Sequence, residues 1–419
     1  MFTEASLFAK ALGIESPWFI EEIRFDADGG RLEIFIDFER GATFYYKDDE
    51  LGIDGHFKAY DKAKKTWRHL NFFQFECLLH AQVPRVDLGN GKIRRVQTSW
   101  EGASFGFTLL FEAFLLQLCR AMPVHRVAEL VGTSDRKLWE MLGTYVARAR
   151  ADEDLSWLAQ IALDETAARR GHDYVTIFAS PAGKRTVFVT KGKGADAVAA
   201  FAMELEAKHG KAESITQVSC DMSPAFIKGI KDNFPNADIV FDRFHVMAVL
   251  QKAVDAVRRM EAKFNPILNR TKYIFLKNAE NLTQKQCQRL EAIRMSRLNL
   301  KTMKALEIRE AFQQIYQAHN PEEFEMLLKK WYFWATHSRI DPIIEAARTI
   351  KNHWGGIVTW AKTKLSNGLL EGINSVFQAA KAKARGYKKD DTIATIIYLL
   401  TGKLDFSKVN PYCGATHTM

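Results

Sequence analysis

The stretch from Leu158 to Phe178, LAQIALDETAARRGHDYVTIF, constrains this chain more than any other. Ile161 to Leu163 reads as a buried strand whose carboxyl end presents Asp164, and a short polar turn leads into a second strand, Tyr174 to Phe178. An acid at the tip of an apolar strand is costly to bury without a use. The pattern returns twice. Ile215 to Cys220 is a β-rich run that ends on Asp221, and Ser366 to Tyr387 reads as a helix offering Glu371 from a mostly apolar surround. Three carboxylates delivered by two strand ends and one helix are what a pair of hard divalent cations needs.

A chain of 419 residues is too long for one ordinary core, so two to four domains are expected, and an apolar fraction of 47% is enough to bury them. There is no run of 18 or more apolar residues, and the start MFTEASLFAK lacks a basic flank followed by an apolar stretch. Neither a membrane span nor a signal peptide is therefore expected. Cys77, Cys119, Cys220, Cys287 and Cys413 are odd in number and scattered, which suits a reducing compartment and a cytoplasmic location. The net charge of +9 is concentrated in patches such as Arg85 to Arg95, Arg258 to Arg259 and Lys381 to Lys389. Such patches suit a polyanion, although solvated lysine faces give the same composition.

Residues 1 to 100 read as β-rich, with strand-like runs at Trp18 to Phe25, Arg31 to Phe38, Lys65 to Phe75, Cys77 to Val86 and Lys92 to Val96, and a hairpin turn at Asp28-Gly29-Gly30. His56, His69, Cys77 and His80 lack a second ligand pair at a recognised spacing, so no zinc site is expected. Residues 105 to 150 turn helical: Phe107 to Cys119, a second helix opened by Pro123 through Val131, a turn at Gly132, and a third helix capped by Ser134 through Arg148. This is the outline of a helix-turn-helix, with Arg136 and Lys137 in the first turn of the element that enters a DNA groove; a plain helical hairpin shares it.

From 154 to 245 the alternation is β-β-β-α-β-α-β, with later strands at Arg185 to Thr190 and Ala237 to Phe241, the last ending on Asp242. Three hairpin-linked strands and two crossover units give a mixed five-stranded sheet flanked by helices, the outline of a ribonuclease H-like fold, with Asp164 and Asp221 on adjacent strands. Residues 246 to 365 read as helical and carry the aromatic run Trp331-Tyr332-Phe333-Trp334, which suits either a well-packed helix or stacking on unpaired bases. In the helix of 366 to 387, within a final core segment of 366 to 405, Asn367, Glu371, Asn374, Gln378, Lys381 and Arg385 step by 4, 3, 4, 3 and 4 and form one polar stripe. Leu370, Ile373 and Phe377 are expected on the opposing face. The stripe runs from carboxylate and amides to cations, as a surface meeting metal first and DNA phosphate next would; a solvated face would look alike.

Several segments together resemble the DDE-class transposases of bacterial insertion sequences, ISL-three family: TWRHLNFFQFECLLHAQVPRV (66 to 86), GFTLLFEAF (106 to 114), LDETAARRGHDYVTIF (163 to 178), SCDMSPAFIKGI (219 to 230), NADIVFDRFHV (236 to 246), KKWYFWATHSR (329 to 339) and NGLLEGINSVFQAAKAKARGY (367 to 387). They follow the family's order along nearly the whole chain. The resemblance implies a catalytic triad of Asp164, Asp221 and Glu371, with 221 − 164 = 57 and 371 − 221 = 150 residues between them, and a helical insertion within the second gap. Asp242-x-x-His245 is similar to the acid-x-x-His element of related transposases and is expected to hold the site in place; a purely structural Asp-His pair is the other reading. Family members usually carry a cysteine-rich zinc ribbon near the N-terminus, whereas Phe44 to Gly91 has only Cys77, so a degenerate β-rich version without zinc is expected.

The activity implied is metal-dependent cleavage of DNA and strand transfer at element ends, with two Mg²⁺ or Mn²⁺ ions and no nucleotide cofactor, since no G-x-x-x-x-G-K-[ST] loop occurs. Glu165 and Asp173 are alternative candidates as ligands of the first site, although strand alternation is expected to turn Glu165 away from Asp164. The partners expected are double-stranded DNA, as terminal inverted repeats and target, and a second copy of the chain, in a bacterial cytoplasm at the nucleoid. A DNA-binding regulator with idle carboxylates, or a ribonuclease H-like nuclease that cuts without joining, would share much of this pattern.

Overall fold

The computed structural model describes residues 3–415 apart from 50, 51, 90, 104, 105, 170, 172 and 297. The turn expected before Tyr174 contains Arg170 and His172, and the expected helix-turn-helix region begins at 105; these three lie outside the described residues. The chain divides into one unit of Met1–Glu153 with Ala379–Met419 and another of Asp154–Gln378. The division falls between Gln378 and Ala379, so the region expected at 366 to 405 contributes to both.

The first unit opens with α1 (Glu4–Leu12), capped by Thr3, and then β1 (Trp18–Asp26) and β2 (Arg31–Phe38), an antiparallel pair. Gly30 takes φ 68 in their turn, and Asp26 Oδ1 accepts the Gly29 N–H at 2.7 Å. After β3 (Thr43–Asp48), β4 (Ile53–Arg68), β5 (Glu76–Asp87) and β6 (Ile93–Arg95), the sheet order is β1-β2-β5-β4-β3, with β6 on β5. Besides α1 and β3, which the sequence reading did not name, two stretches depart from it. The run from Lys65 stops as a strand at Arg68, and Phe72 and Phe75 close a tight bridge around Phe73, whose φ is 51. Most of β4 had no apolar signal, because Asp54, His56, Lys58, Tyr60 and Lys62 fill its exposed positions.

The four candidate zinc ligands of this unit have separate partners. Cys77 lies in the apolar core, where burial pushes its thiol up to about 11. His80 stacks on Phe35 at 4.8 Å and bonds Thr66 Oγ1 at 2.9 Å. His69 Nδ1 meets Thr108 Oγ1 at 2.8 Å, and His56 packs beside Tyr45.

Three helices follow: α2 (Leu109–Ala121), α3 (Val124–Val131) and α4 (Asp135–Ala151). Gly132 supplies the turn with φ 67, and Ser134 Oγ accepts the Lys137 N–H at 3.4 Å to start α4. The helices Asp390–Thr401 and Tyr412–Ala415 belong to the same unit. Asn410 Nδ2 donates to Leu109 O and to the Tyr145 hydroxyl, each at 2.7 Å, and that hydroxyl donates to the buried Glu112 carboxylate.

The second unit holds β7 (Gln160–Arg169), β8 (Asp173–Ser180), β9 (Arg185–Lys191), α5 (Ala195–Ala207), β10 (Gln217–Cys220), α6 (Pro224–Asn233) and β11 (Asp238–Phe241). Their order is β11-β10-β7-β8-β9, parallel on the β10 side of β7 and antiparallel on the β8 side. This is the mixed five-stranded sheet expected from the alternation.

Helices α7 (Arg243–Glu261), α8 (Lys272–Leu276), α9 (Gln284–Met295), α10 (Lys301–Ile315), α11 (Pro321–Thr336), α12 (Asp341–Asn352) and α13 (Trp354–Thr363) make up the helical stretch, and α14 (Gly368–Lys383) follows. One apolar core runs from Phe178 and Phe201 of the sheet layer to Phe312 and Trp331 of the helices. The aromatic run on α11 is split: Trp331 is buried and donates to Ile308 O, whereas Phe333 is exposed and stacks on His337. Among the described residues no helix is long and apolar enough to cross a membrane.

Candidate active site

Sheet register brings the acids together. Gln160, Gln217 and Asp238 pair side by side across β7, β10 and β11. The last β7–β10 pair is Ala162 with Ser219 and the last β10–β11 pair is Cys220 with Phe241, so Asp164 and Asp221 each lie two residues past the first and Asp242 one residue past the second. Asp164 does not end its strand, as the apolar run had suggested. β7 continues to Arg169 because β8 goes on pairing with it, Asp164 opposite Ile177; only the ladder to β10 stops, at Ala162. Asp164 thus stands where β7 loses one neighbour and keeps the other.

Burial raises the Asp164 carboxyl above the ordinary carboxylate range. The Glu165 N–H, which donates to Oδ1 at 2.8 Å, and His245 work against that shift; the charges of Asp221 and Asp242 reinforce it. His245 Nε2 stands 3.9 Å from Asp164 Oδ1, too far for a hydrogen bond. Asp221 Oδ1 accepts the Ser223 N–H at 2.9 Å, which fixes the turn into α6. Asp242 is buried and accepts the Asn367 N–H at 3.4 Å. Of the substitute ligands, Glu165 is half-buried and also raised by burial, and Asp173 is engaged by Arg169.

The polar stripe of α14 divides. Asn367 Nδ2 donates to Leu163 O at 3.4 Å, Asn374 Nδ2 to Asp164 Oδ2 at 3.0 Å, and Gln378 Nε2 to Thr166 Oγ1 at 2.8 Å and Ala167 O at 3.1 Å. These three amides, read as a face toward DNA, are turned onto β7. The apolar row of Leu370, Ile373 and Phe377 is buried too, and at 100° per residue it lies roughly a quarter-turn from the stripe rather than opposite it. Glu371 lies between Asn367 and Asn374 on the stripe, and its side chain is exposed. Lys381 is half-buried; Arg385 is exposed just past the helix, with φ 58.

Among the described residues no three His, Cys, Asp or Glu side chains are gathered closely enough to hold a metal ion. In kind, the donors suit a hard divalent cation: two aspartate carboxylates just past the end of one strand ladder, one of them desolvated among negative neighbours, and a third carboxylate on α14. The ties from Asn374 to Asp164 and from Asn367 to Asp242 were not anticipated. Their signal was present, since Asn367, Asn374 and Gln378 are the uncharged members of a stripe otherwise made of ions.

In the first unit, α3, the Gly132 turn and α4 form the helix-turn-helix read from the sequence. Arg136 is highly exposed and paired with Glu140 at 2.8 Å, and Lys137 lies 5.7 Å from the Phe107 ring.

Comparison with known proteins agrees with both constellations. Residues 161–397 match the family model described as "Transposase", of the DDE ISL3 group, and residues 96–146 match the "Helix-turn-helix domain of transposase family ISL3". The transposase for insertion sequence element IS1001 of Bordetella parapertussis is 27% identical over 351 residues, covering 80% of this chain and 84% of that one. The transposase for IS1557 of Mycobacterium tuberculosis is 25% identical over 428 residues, covering 94% of each. These relatives favour a transposase over an idle regulator or a simple nuclease. With more than half its length inside that family model, the chain belongs to the ISL3 family of transposases.

Proposed function

We propose that this transposase cleaves DNA at the ends of its insertion sequence and joins the freed ends to target DNA, using Asp164, Asp221 and Glu371 to hold two divalent cations, Mg²⁺ or Mn²⁺. The observation that carries the reading is that Asp164 and Asp221 each lie two residues past the last β7–β10 pair, where burial and the Asp221 charge raise the Asp164 carboxyl and a bound cation would offset that cost. Bound there, the cations lower the pKa of a coordinated water and neutralise charge on the phosphodiester.

The chain's own groups orient the ligands. Glu165 N–H and Asn374 Nδ2 hold one oxygen each of Asp164, and Asp242 anchors the start of the Glu371 helix through Asn367. His245, 3.9 Å from Asp164, is placed to steady the carboxylate rather than to ligate. The strand order supports a ribonuclease H-like core over 154–245 and 366–405, interrupted by the helical insertion of 246–365 and preceded by the β-rich region 1–100. DNA is gripped by the helix-turn-helix of 105–150 through Arg136 and Lys137, and by Lys381 and Arg385 beyond the catalytic glutamate. Pairing two ends implies a homodimer, working at the bacterial nucleoid.

The test is cleavage and joining of labelled duplexes carrying the element's ends, with Mg²⁺ or Mn²⁺, in the parent, Asp164→Asn, Asp221→Asn and Glu371→Gln. Each substitution should abolish both steps and leave end binding intact. Cutting that survives any of the three overturns the assignment of that residue, and a parent that binds ends without cutting them overturns the reading as a whole.

A further inference from the structure

Two side-chain oxygens, Asn367 Oδ1 just before α14 and Asn374 Oδ1 on it, are buried without a hydrogen-bond partner. Amide orientation does not account for this. Asn374 Nδ2 donates to Asp164 Oδ2 and Asn367 Nδ2 to Leu163 O, so reversing either amide would set oxygen against oxygen. The two differ in what they hold. Asn367 is tied to a backbone carbonyl, whereas Asn374 grips the Asp164 carboxylate itself. Gln378, one turn further on, reaches Thr166 and Ala167 and sets helix register. With Glu165 N–H on its Oδ1, each Asp164 oxygen then has one protein donor and keeps a lone pair.

We propose that Asn374 is a positioning residue of strand cleavage: its N–H aims the Asp164 carboxylate at a divalent cation, and its free Oδ1 accepts a hydrogen bond from water in that cation's hydration sphere. This rests on the reading of Asp164 as a ligand. Magnesium keeps several of its waters, and ligating carboxylates are themselves held by hydrogen bonds. An amide is the side chain that meets both needs. An aspartate at 374 would add a negative charge beside Asp164, Asp221 and Asp242, and a lysine would take the cation's place.

The experiment titrates Mn²⁺ against the full chain bound to an end duplex, reading free Mn²⁺ by electron paramagnetic resonance. It compares the parent with Asn374→Ala, Asn374→Asp and Asp164→Asn. Asn374→Ala should raise the half-saturating Mn²⁺ concentration about 10- to 100-fold, with metal-free end binding unchanged. Asn374→Asp is nearly isosteric, keeps the acceptor and trades the donor for a charge, so Mn²⁺ should raise its Tm more than it raises the parent's. Parent-like Mn²⁺ binding by a folded Asn374→Ala overturns the inference; if that variant does not fold, an Asn374→Asp shift no larger than the parent's does so. Loss of binding in Asp164→Asn alone leaves the functional reading standing without it. A parent that binds no Mn²⁺, or an Asp164→Asn that binds like the parent, overturns the functional reading itself.

Discussion

Asn367 donates its backbone N–H to the Asp242 carboxylate at 3.4 Å, across 125 residues of chain. The donor opens the helix that carries Glu371 and the acceptor ends the strand beside Asp221, so one hydrogen bond ties the two halves of the candidate site. Asp242→Ala leaves that N–H unpaired at a buried helix start, where the loss is about 1–3 kcal/mol. Urea unfolding should show a loss of this size, and end cleavage should fall at least about tenfold with end binding retained. Asp242→Asn keeps an acceptor and should lose less. Unchanged cleavage in Asp242→Ala would show that the tie does not position the helix.

Adjacent glycines of α13 should respond with opposite signs. A Cβ on Gly356 would stand 2.5 Å from Phe241 Cδ2 and 3.0 Å from Ile239 O, because the helix presses on β11 just before Asp242. Gly356→Ala should cost about 1–3 kcal/mol through overpacking. Gly355 has open space where its Cβ would go, so Gly355→Ala should be neutral or stabilise by up to about 1 kcal/mol. Thermal unfolding of the two variants checks this, and equal shifts would contradict the packing described.

The sequence made much of the site readable. Ile161 to Leu163 and Ile215 to Cys220 are apolar enough to be recognised as neighbouring strands, and both aspartates follow them directly. The length of β7 beyond Asp164 was not readable, because its continuation depends on pairing with β8 and Glu165, Arg169 and their neighbours carry no apolar alternation. β4 stayed hidden for a related reason: both its neighbours are strands, so ladder bonds rather than apolar side chains hold its charged outer positions in line. The stripe of α14 was found, but its direction was misread. A row of amides can be satisfied by a strand edge as well as by solvent or DNA, and periodicity alone does not say which.

His69 gives the first unit a pH dependence. Burial, with the neighbouring Arg68 charge, lowers its pKa from 6.5 to about 4. On acidification the unfolded chain therefore takes up this proton first. The contribution is intact above about pH 6.5, falls as the pH drops toward 4, and changes no further below that. It amounts to at most about 3 kcal/mol. His69→Gln keeps a polar partner for Thr108 and should flatten this part of the profile. Denaturation of the two proteins between pH 4 and 7 reads the difference, and parallel profiles would mean His69 titrates normally.

Arg136 tests which part of the first unit meets DNA. Its ion pair with Glu140 is surface-exposed and screened by solvent, so a phosphate can displace it. Lys137 follows in the first turn of α4, whose N-terminal end favours anions. Each side chain that neutralises one phosphate contributes about 0.9 to the slope of log K against log salt. Arg136→Ala and Lys137→Ala should each weaken end binding and reduce that slope by about 0.9 if they contact phosphate. A side chain that reads a base edge would instead relax preference at one base pair by about 1–3 kcal/mol. Binding to end duplexes measured from low to moderate salt separates these outcomes. An unchanged affinity and slope in both variants would move DNA recognition off α4 and leave the helix-turn-helix a packing element.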